Sequence, residues 1–287
     1  MVEIILVCLG TFQNYITENI NNLLDFNNSN ITVIINKNLE NSFKQVKSKI
    51  KIIYAEDLNN YNYDNNCKLN KKSNNGLWFQ SSNRFFYLYD YIKKYNIEGC
   101  FHIENDVMIY ANLNNYIPNE KKIYLTMDSH NRCIPSLLFI PSHRELEGLI
   151  KNYNNTKNDM NNLGNFFNKN KDISDTLPIV KQNNNYNKRD LLNKNYEKFN
   201  AIFDAAAIGQ YLGGCHYGYT RPGFINETCL VKYNNYNFYW KKKENNFIPH
   251  LEINNELIPI VNLHIHRKNL NNFRGKQPIE DRLIKFI

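Results

Sequence analysis

Short apolar runs alternate with helical patterns along the first 54 residues, and this alternation strongly limits what the chain can fold into. Residues 2–9, 31–35 and 50–54 are rich in β-branched side chains, which is typical of strands buried on both faces of a parallel sheet. Residues 15–24 and 38–48, between these runs, read as helices. The order β-α-β-α-β therefore predicts an α/β protein with a mostly parallel central sheet and helices on both faces.

Four residues directly follow the first two predicted strands. Leu9, Gly10 and Thr11 come after the first strand, and Asn36 comes after the second. In open parallel sheets, ligands bind beyond the carboxyl ends of the strands. We therefore expect these four residues to line a ligand pocket at that edge.

Another short apolar run, residues 100–103, continues directly into Glu104-Asn105-Asp106. An ionised carboxylate is costly to bury without a partner, and a divalent ion such as Mg²⁺ or Mn²⁺ is the usual compensation. The alternative is that both acids end the strand in solvent. If the sheet is parallel, Glu104 and Asp106 lie at the same edge as Gly10, and Asn105 between them would contact a ribose or a phosphate.

Two histidines alternate within a late apolar run, residues 258–268. Alternation places the imidazoles of His264 and His266 on one face of a strand, and imidazole is a suitable ligand for Mn²⁺. Arg267 and Lys268 follow and would offer cations to a phosphate. The alternative is a half-exposed histidine in an edge strand, and spacing alone does not choose between the two imidazoles as ligand.

Two residues of the predicted helix 78–95 have both a functional and a structural interpretation. Arg84 interrupts an otherwise aromatic helix and would pair with a diphosphate or with Asp106, or extend into solvent. Trp78 would stack on a nucleobase or pack in the core.

Two further acids are candidates for a general base. Asp204 begins a predicted helix, residues 204–212, and is either its N-cap or a base presented from a rigid position. Asp128 ends a predicted strand, residues 123–128, and is the rival base.

The composition argues against several classes of protein. A net charge of +8 suits anionic partners, but the lysines are scattered, so no nucleic-acid partner is predicted. The six cysteines show no zinc-binding spacing, which favours a reduced, cytoplasmic location. Residues 4–9 are too short for a membrane span and lack a cleavage site. Exposed aromatic side chains would support a homodimer.

The order of these parts resembles the GT-A-type nucleotide-sugar glycosyltransferases, most closely those of large DNA viruses, in the host cytoplasm or the virion. The resemblance is carried by the strand before Gly10, the strand before Asn36, the helix from Trp78, the Glu104-Asn105-Asp106 motif and the strand 263–268. It covers most of the chain but excludes residues 154–195.

That resemblance implies a Rossmann-like GT-A fold in which the acidic motif, often Asp-x-Asp, binds Mn²⁺ or Mg²⁺ together with the donor diphosphate. A C-terminal histidine often completes the metal shell in that family. Glu104 replaces the first Asp of the motif, which keeps the charge and lengthens the reach. The resemblance also implies that Asp204 faces the acceptor.

A single domain, residues 1–287, is expected. Residues 1–110 would be its nucleotide-binding half, and residues 111–287 its acceptor half with a small antiparallel C-terminal part. The long, asparagine-rich stretch 154–195 would be an acceptor-side insertion, a lid or a partly disordered segment.

The function implied is metal-dependent transfer of a sugar from a nucleoside-diphosphate sugar, first of all a UDP-sugar, to a glycan, a glycoprotein or another hydroxyl acceptor. One alternative is a catalytically inactive module that binds a sugar nucleotide or a carbohydrate. A metal-dependent nuclease is another, although the chain lacks the additional convergent carboxylates and the motif lysine that such enzymes often use.

Overall fold

The structure is a computed structural model that describes residues 1–58, 63–71, 76–181, 191–215 and 221–287. Within these ranges the helices, numbered in chain order, are α1 (Ile16–Asp25), α2 (Tyr63–Asn66), α3 (Leu77–Lys94), α4 (His143–Lys151), α5 (Asp159–Lys169), α6 (Tyr196–Phe199) and α7 (Ile208–Gly213). The strands are β1 (Glu3–Cys8), β2 (Ile31–Ile35), β3 (Lys51–Tyr54), β4 (Cys100–Ile103), β5 (Val107–Ile109), β6 (Ile123–Ser129), β7 (Arg132–Ile140), β8 (Ser174–Thr176), β9 (Asn237–Lys243), β10 (Asn246–Ile253), β11 (Glu256–Pro259), β12 (Asn262–His264) and β13 (Ile284–Phe286).

The central sheet has seven strands in the order β3-β2-β1-β4-β7-β6-β8. Its first four strands are parallel, β7 is antiparallel to β4 and to β6, and β8 is parallel to β6. The predicted α/β class with a mixed, mostly parallel sheet is therefore confirmed. Because β1, β2 and β4 run in the same direction, the residues that follow them meet at one edge of the sheet.

Strand β1 shows why helices cover both faces of this sheet. Ile4 and Leu6 pack with Ile16 of α1, whereas Ile5 and Val7 pack on the other face with α3, α4 and α5. Alternate side chains of a strand point to opposite faces, so an unbroken apolar strand needs cover on both sides. This is the arrangement that the apolar run 2–9 predicts.

The small antiparallel part is also present, but its strands differ from those predicted. A sheet in the order β11-β10-β9-β13 includes residues 238–241 within β9, whereas residues 229–233 form no strand. The predicted strand 258–268 is wrong: it is divided into β11, which belongs to this sheet, and β12, which pairs with β5. Ile258 and Ile260 both pack into the C-terminal core, although strict alternation in one strand would also place Ile265 on the opposite face. The chain leaves the C-terminal sheet after Pro259 and joins β5 from Asn262 onward.

Several local predictions need correction. Residues 38–48 form two 3-10 helices, Lys37–Phe43 and Lys47–Lys49, in place of one α-helix. The stretch 154–195 contains α5, which packs against β7, and β8, which extends the central sheet. Its residues 182–190 lie outside the described residues, as do 59–62 and 72–75 of the predicted loop 59–75.

Two observations bear on the class of protein. None of the six cysteines is in a disulfide. In the part of the chain that the structure describes, every helix is too short or too polar to span a membrane.

Candidate metal centre and cleft

A cleft of about 470 Å³ opens at the carboxyl edge of the central sheet. The predicted residues in its wall are Leu9, Trp78, Arg84, Glu104, Asn105, Asp106, His264, His266 and Lys268. Gly10, Thr11 and Asn36 are not part of this wall. They lie beside it, where the N–H of Gly10 donates to the side chain of Asn36 over 2.8 Å. This bond shows that the ends of β1 and β2 meet as expected.

Glu104, Asp106 and His264 converge in the floor of the cleft. One ligand atom from each lies within 4.8 Å of the others, and this is a possible metal site. The Nε2 atom of His264 is 2.9 Å from Asp106 Oδ2, and its Nδ1 atom is 3.5 Å from Glu104 Oε2. The pairing of β12 with β5 produces this meeting, because it places His264 directly opposite Val107.

Cations around the two carboxylates keep them ionised. Burial raises the pKa of Asp106, but His264 and Lys268 more than offset that effect and hold it well below its usual range. Burial likewise raises the pKa of Glu104, and Arg84 with His264 lowers it below the ordinary value. Burial lowers the pKa of His264, whereas Asp106 and Glu104 raise it to a net value above the usual one. Both carboxylates of the cluster are therefore negatively charged near neutral pH.

The donor atoms of this cluster suit a divalent cation. Glu104 Oε2 and His264 Nδ1 are buried, and no described residue forms a hydrogen bond with either atom. Buried polar atoms of this kind need an explanation, and an ion bound between them supplies one. Two carboxylates and one imidazole, with the remaining positions open to water or phosphate, match the preferences of Mg²⁺ and Mn²⁺.

His266 and Lys268 lie beside the cluster. The ring of His266 is 6.1 Å from that of His264, and it lies outside the group of ligand atoms that the described residues bring together. Lys268 contacts Asp106 directly and lies 5.3 Å from the ring centre of Tyr15. Both side chains thus face the space above the carboxylates.

Arg84 has a partner that the sequence does not reveal. Its Nη1 atom donates to Glu104 and its Nη2 atom to Asp159, each over 2.7 Å, and the guanidinium is nearly inaccessible to solvent. Asp159 is the first residue of α5, within the stretch expected to be an insertion. The predicted pairing of Arg84 with Asp106 is therefore wrong: the guanidinium pairs with Glu104, and the stretch 154–195 supplies a second carboxylate that fixes it.

Asp204 is not placed as a base, and the helix expected to begin there starts at Ile208. Its side chain is completely buried, and each of its carboxylate oxygens accepts two backbone N–H bonds. The donors, at 2.8 to 2.9 Å, are the amides of Ala207, Ile208, Gly209 and His264. Burial raises the pKa of Asp204 and these donors oppose the rise. Asp204 thus ties the start of α7 to the backbone of His264.

Asp128 is also engaged. Its carboxylate is buried and accepts two bonds from Arg132, across the turn between β6 and β7. Arg132 lines the cleft, whereas Asp128 does not. The role expected for Asp128 as a rival base therefore has no support in its position, and the side chain that it orients is a cation.

Asn105 is fixed in the cleft wall beside β1. Its side-chain amide donates to the carbonyl of Val7 over 2.8 Å and to Gln13 over 2.7 Å. Trp78, at the first turn of α3, is 37% exposed and forms part of the wall, so its indole is not a core residue. Leu9 and Val7 add apolar surface to the same cleft. The cleft wall thus includes a partly exposed aromatic face and a rigid amide.

Gly209 is required where α7 crosses β12. A Cβ atom at this position would lie 2.2 Å from the carbonyl oxygen of His264 and 2.9 Å from its nitrogen. Gly209→Ala is therefore expected to lower the free energy of unfolding by about 1–3 kcal/mol, and to weaken Mn²⁺ binding because His264 must move. Chemical denaturation and Mn²⁺ titration check both effects.

Gly148→Ala is the matched control. A Cβ atom there would meet only Phe166, at an ordinary 3.4 Å, and alanine is favoured over glycine within a helix such as α4. Equal Mn²⁺ affinity in the two variants would contradict the coupling of α7 to His264.

Comparison with known proteins adds little at the level of sequence. No family model matches the chain, and no curated protein matches it. Solved structures resemble parts of the fold. The galactosyltransferase LgtC in complex with donor and acceptor sugar analogs is 10% identical, with a TM-score of 0.42 over 62% of this chain and 73% of that chain.

Two other solved structures are similarly distant. A putative glucose-1-phosphate thymidylyltransferase from Bacillus anthracis is 8% identical, with a TM-score of 0.41 over 61% of this chain and 86% of that chain. The glycosyltransferase GlyE from Streptococcus pneumoniae is 14% identical, with a TM-score of 0.41, and this chain covers 44% of it. Likeness at this level carries no conclusion about activity, so function has to be inferred from the site itself.

Proposed function

We propose that this protein is a metal-dependent glycosyltransferase that uses a nucleoside-diphosphate sugar. The observation that carries the proposal is the convergence of Glu104, Asp106 and His264 at the edge of the sheet, inside a cleft that also presents Lys268 and Trp78. Carboxylates and an imidazole suit a divalent ion, a lysine suits a phosphate, and an exposed indole suits a nucleobase. A UDP-sugar is the first donor to test.

Glu104, Asp106 and His264 would hold a divalent ion, whose chemistry would be to offset the negative charge of the departing nucleotide. The chain's own residues prepare the site for that charge. Arg84 fixes Glu104 in one orientation through its second bond to Asp159. Lys268 contacts Asp106 in the cleft wall and would offer a cation to the diphosphate. Such fixed charges need no reorganisation during the reaction.

The acceptor would bind at another part of the cleft wall. The apolar side chains of that part are Ile134, Pro135 and Met160, and Arg132 adds a guanidinium that pairs with Asp128. Among the described residues that line the cleft, the carboxylates are those of Glu104, Asp106 and Asp159. The first two belong to the metal cluster, and the third forms an ion pair with Arg84. A sugar hydroxyl is the acceptor group proposed. The homodimer, the cytoplasmic location and the viral source stay predictions of the sequence.

Thermal denaturation with and without ligands tests the proposal. A ligand that binds only the folded state raises the melting temperature. UDP with Mn²⁺ is expected to raise it more than either component alone, and hydrolysis of a UDP-sugar is expected to require Mn²⁺ and to stop with a chelator. Binding without any turnover would favour the inactive module instead, and turnover that a chelator leaves unchanged would refute the metal centre.

Trp78→Ala tests the nucleobase pocket. Stacking of a base on an aromatic side chain is worth about 1–3 kcal/mol, so the variant is expected to bind UDP roughly 5- to 150-fold more weakly. Its melting temperature without ligand should change little, because Trp78 is partly exposed. Isothermal titration measures the affinity, and Tyr95→Ala is the control, because Tyr95 is an exposed aromatic residue at the other end of α3 and does not line the cleft. Unchanged affinity in Trp78→Ala would place the base elsewhere.

A further inference from the structure

A second cavity, of about 580 Å³, lies against the C-terminal sheet. Its walls come from the β9–β10 hairpin, the chain that leaves β5 and the chain that enters β12. We call it the rear cavity and define it by six of its lining residues, Tyr110, Tyr116, Lys241, Lys243, Asn246 and His250. None of them lines the cleft.

The rear cavity is separated from the metal centre by the length of the β5–β12 pair. Asp106 precedes β5 in the cleft, whereas Tyr110 follows β5 in the rear cavity. In the same way, His264 ends β12 in the cleft, and Val261 precedes β12 in the rear cavity. At roughly 3.3 Å per residue the two sites are about 13 Å apart along the strand. A ligand in the rear cavity would not touch the metal ligands.

Lysines give this cavity a positive charge. In the β9–β10 ladder, Lys241 lies opposite Ile248 and Lys243 lies opposite Asn246, so both lysines share a face with His250. Within the described residues, no acidic side chain forms an ion pair with either lysine, and Glu244 is the only acid in the wall. Unpaired lysines on one face of a cavity favour an anionic ligand.

The cavity also presents hydrogen-bond acceptors. His250 is only 9% exposed, and its Nδ1 atom lies 2.9 Å from the carbonyl of Ile248. A carbonyl only accepts, so Nδ1 carries the proton and Nε2 of the neutral ring is left as an acceptor. Asn246 donates to the carbonyl of Asp25, and its buried Oδ1 has no partner among the described residues. Both acceptors suit a ligand with hydroxyl groups.

The aromatic residues of the wall do not suit a nucleobase. Tyr110 is 1% exposed and Phe26 is 7% exposed, so neither offers an open ring face. Tyr116 is half-buried, and its ring packs at a right angle against that of Phe203, with the ring centres 5.8 Å apart. Proteins that bind single-stranded nucleic acid combine a basic groove with such stacking faces. The combination of lysines, an amide and an imidazole, with no described aromatic residue of the wall offering a fully open ring face, favours a carbohydrate that carries acidic groups.

We propose that the rear cavity binds an acidic oligosaccharide, with its carboxylate or sulfate groups at Lys241 and Lys243 and its hydroxyls at His250 and Asn246. This binding is independent of the metal centre and does not rest on the proposed transferase activity. It would hold a glycan on the face of the protein away from the cleft.

Fluorescence anisotropy with a labelled, heparin-derived hexasaccharide tests this proposal, in the presence of a chelator so that the metal centre plays no part. The full chain is expected to bind it. The double variant Lys241→Gln, Lys243→Gln should bind at least about tenfold more weakly, because two charge-assisted contacts are lost. Both lysines are exposed, so the variant is expected to keep its melting temperature. Lys49→Gln, at another exposed lysine, removes one charge elsewhere and should change the affinity less than about twofold.

Three results would overturn the proposal. The first is no binding of the hexasaccharide by the full chain. The second is equal affinity in the full chain and the double variant. The third is displacement of the hexasaccharide by a single-stranded oligonucleotide of the same charge at an equal or lower concentration, which would make the surface a nucleic-acid site.

Discussion

Asp106→Asn is expected to abolish Mn²⁺ binding and to lower metal-dependent turnover of the sugar nucleotide by on the order of 10³-fold, equivalent to about 4 kcal/mol. The substitution keeps the size of the side chain and removes the charge that His264 and Lys268 surround. Without that charge, Lys268 loses its carboxylate partner and Glu104 is the one carboxylate left in the metal cluster, so the site binds a divalent cation far more weakly. Electron paramagnetic resonance of Mn²⁺ measures the binding directly.

The control is Asp172→Asn, which removes the same charge from an exposed position. It is expected to leave both Mn²⁺ binding and turnover unchanged. If Asp106→Asn binds Mn²⁺ as tightly as the unaltered protein, Asp106 is not a ligand and the proposed metal centre is wrong.

Asp204→Ala is expected to lower the free energy of unfolding by roughly 3–5 kcal/mol, one of the largest losses that a single substitution produces. The alanine leaves four backbone N–H groups, including that of His264, buried without an acceptor. Each such group costs about 1–3 kcal/mol, less where water enters the space that the carboxylate vacates. Asp204→Asn keeps one oxygen and should lose about half as much. Urea denaturation measures both variants.

The surface variant Asp57→Ala provides the reference. Asp57 is half exposed and, among the described residues, its carboxylate forms an ion pair only with Lys37, so its loss is expected to cost less than about 1 kcal/mol. If Asp204→Asn unfolds at the same urea concentration as the unaltered protein and yet has lost turnover, Asp204 acts as the base after all and its structural role is refuted.

The convergence at the metal centre could be predicted because it depends on strand direction. Glu104 and Asp106 follow a strand that is parallel to β1, and the end of any such strand lies near the ends of its neighbours. That His264 is the histidine in the cluster could not be predicted, because it depends on where β12 ends. The alternation that predicts two equivalent imidazoles stops at His264, the last residue of that strand.

Contacts of the side chains with distant residues were not accessible from the sequence. Arg84 and Asp159 are 75 residues apart, and the second lies in a polar stretch without a strong pattern. Asp204 carries the signal of an N-cap, but the turn that supplies three of its four N–H donors depends on Ala206 at a positive φ of 55°, which alanine rarely adopts. Pro249 argues against a central strand, and yet β10 contains it and pairs on both sides.

The pairing of β5 with β12 also determines when the metal centre can assemble during synthesis. Asp106 and His264 are 158 positions apart, so a nascent chain that has already folded its first parallel strands still lacks an imidazole ligand. A product truncated before residue 264 would contain the acidic motif and Arg84. It would lack His264, and β5 would be without its complete partner strand. Only a chain that has been synthesised beyond residue 264 would therefore have all three proposed metal ligands.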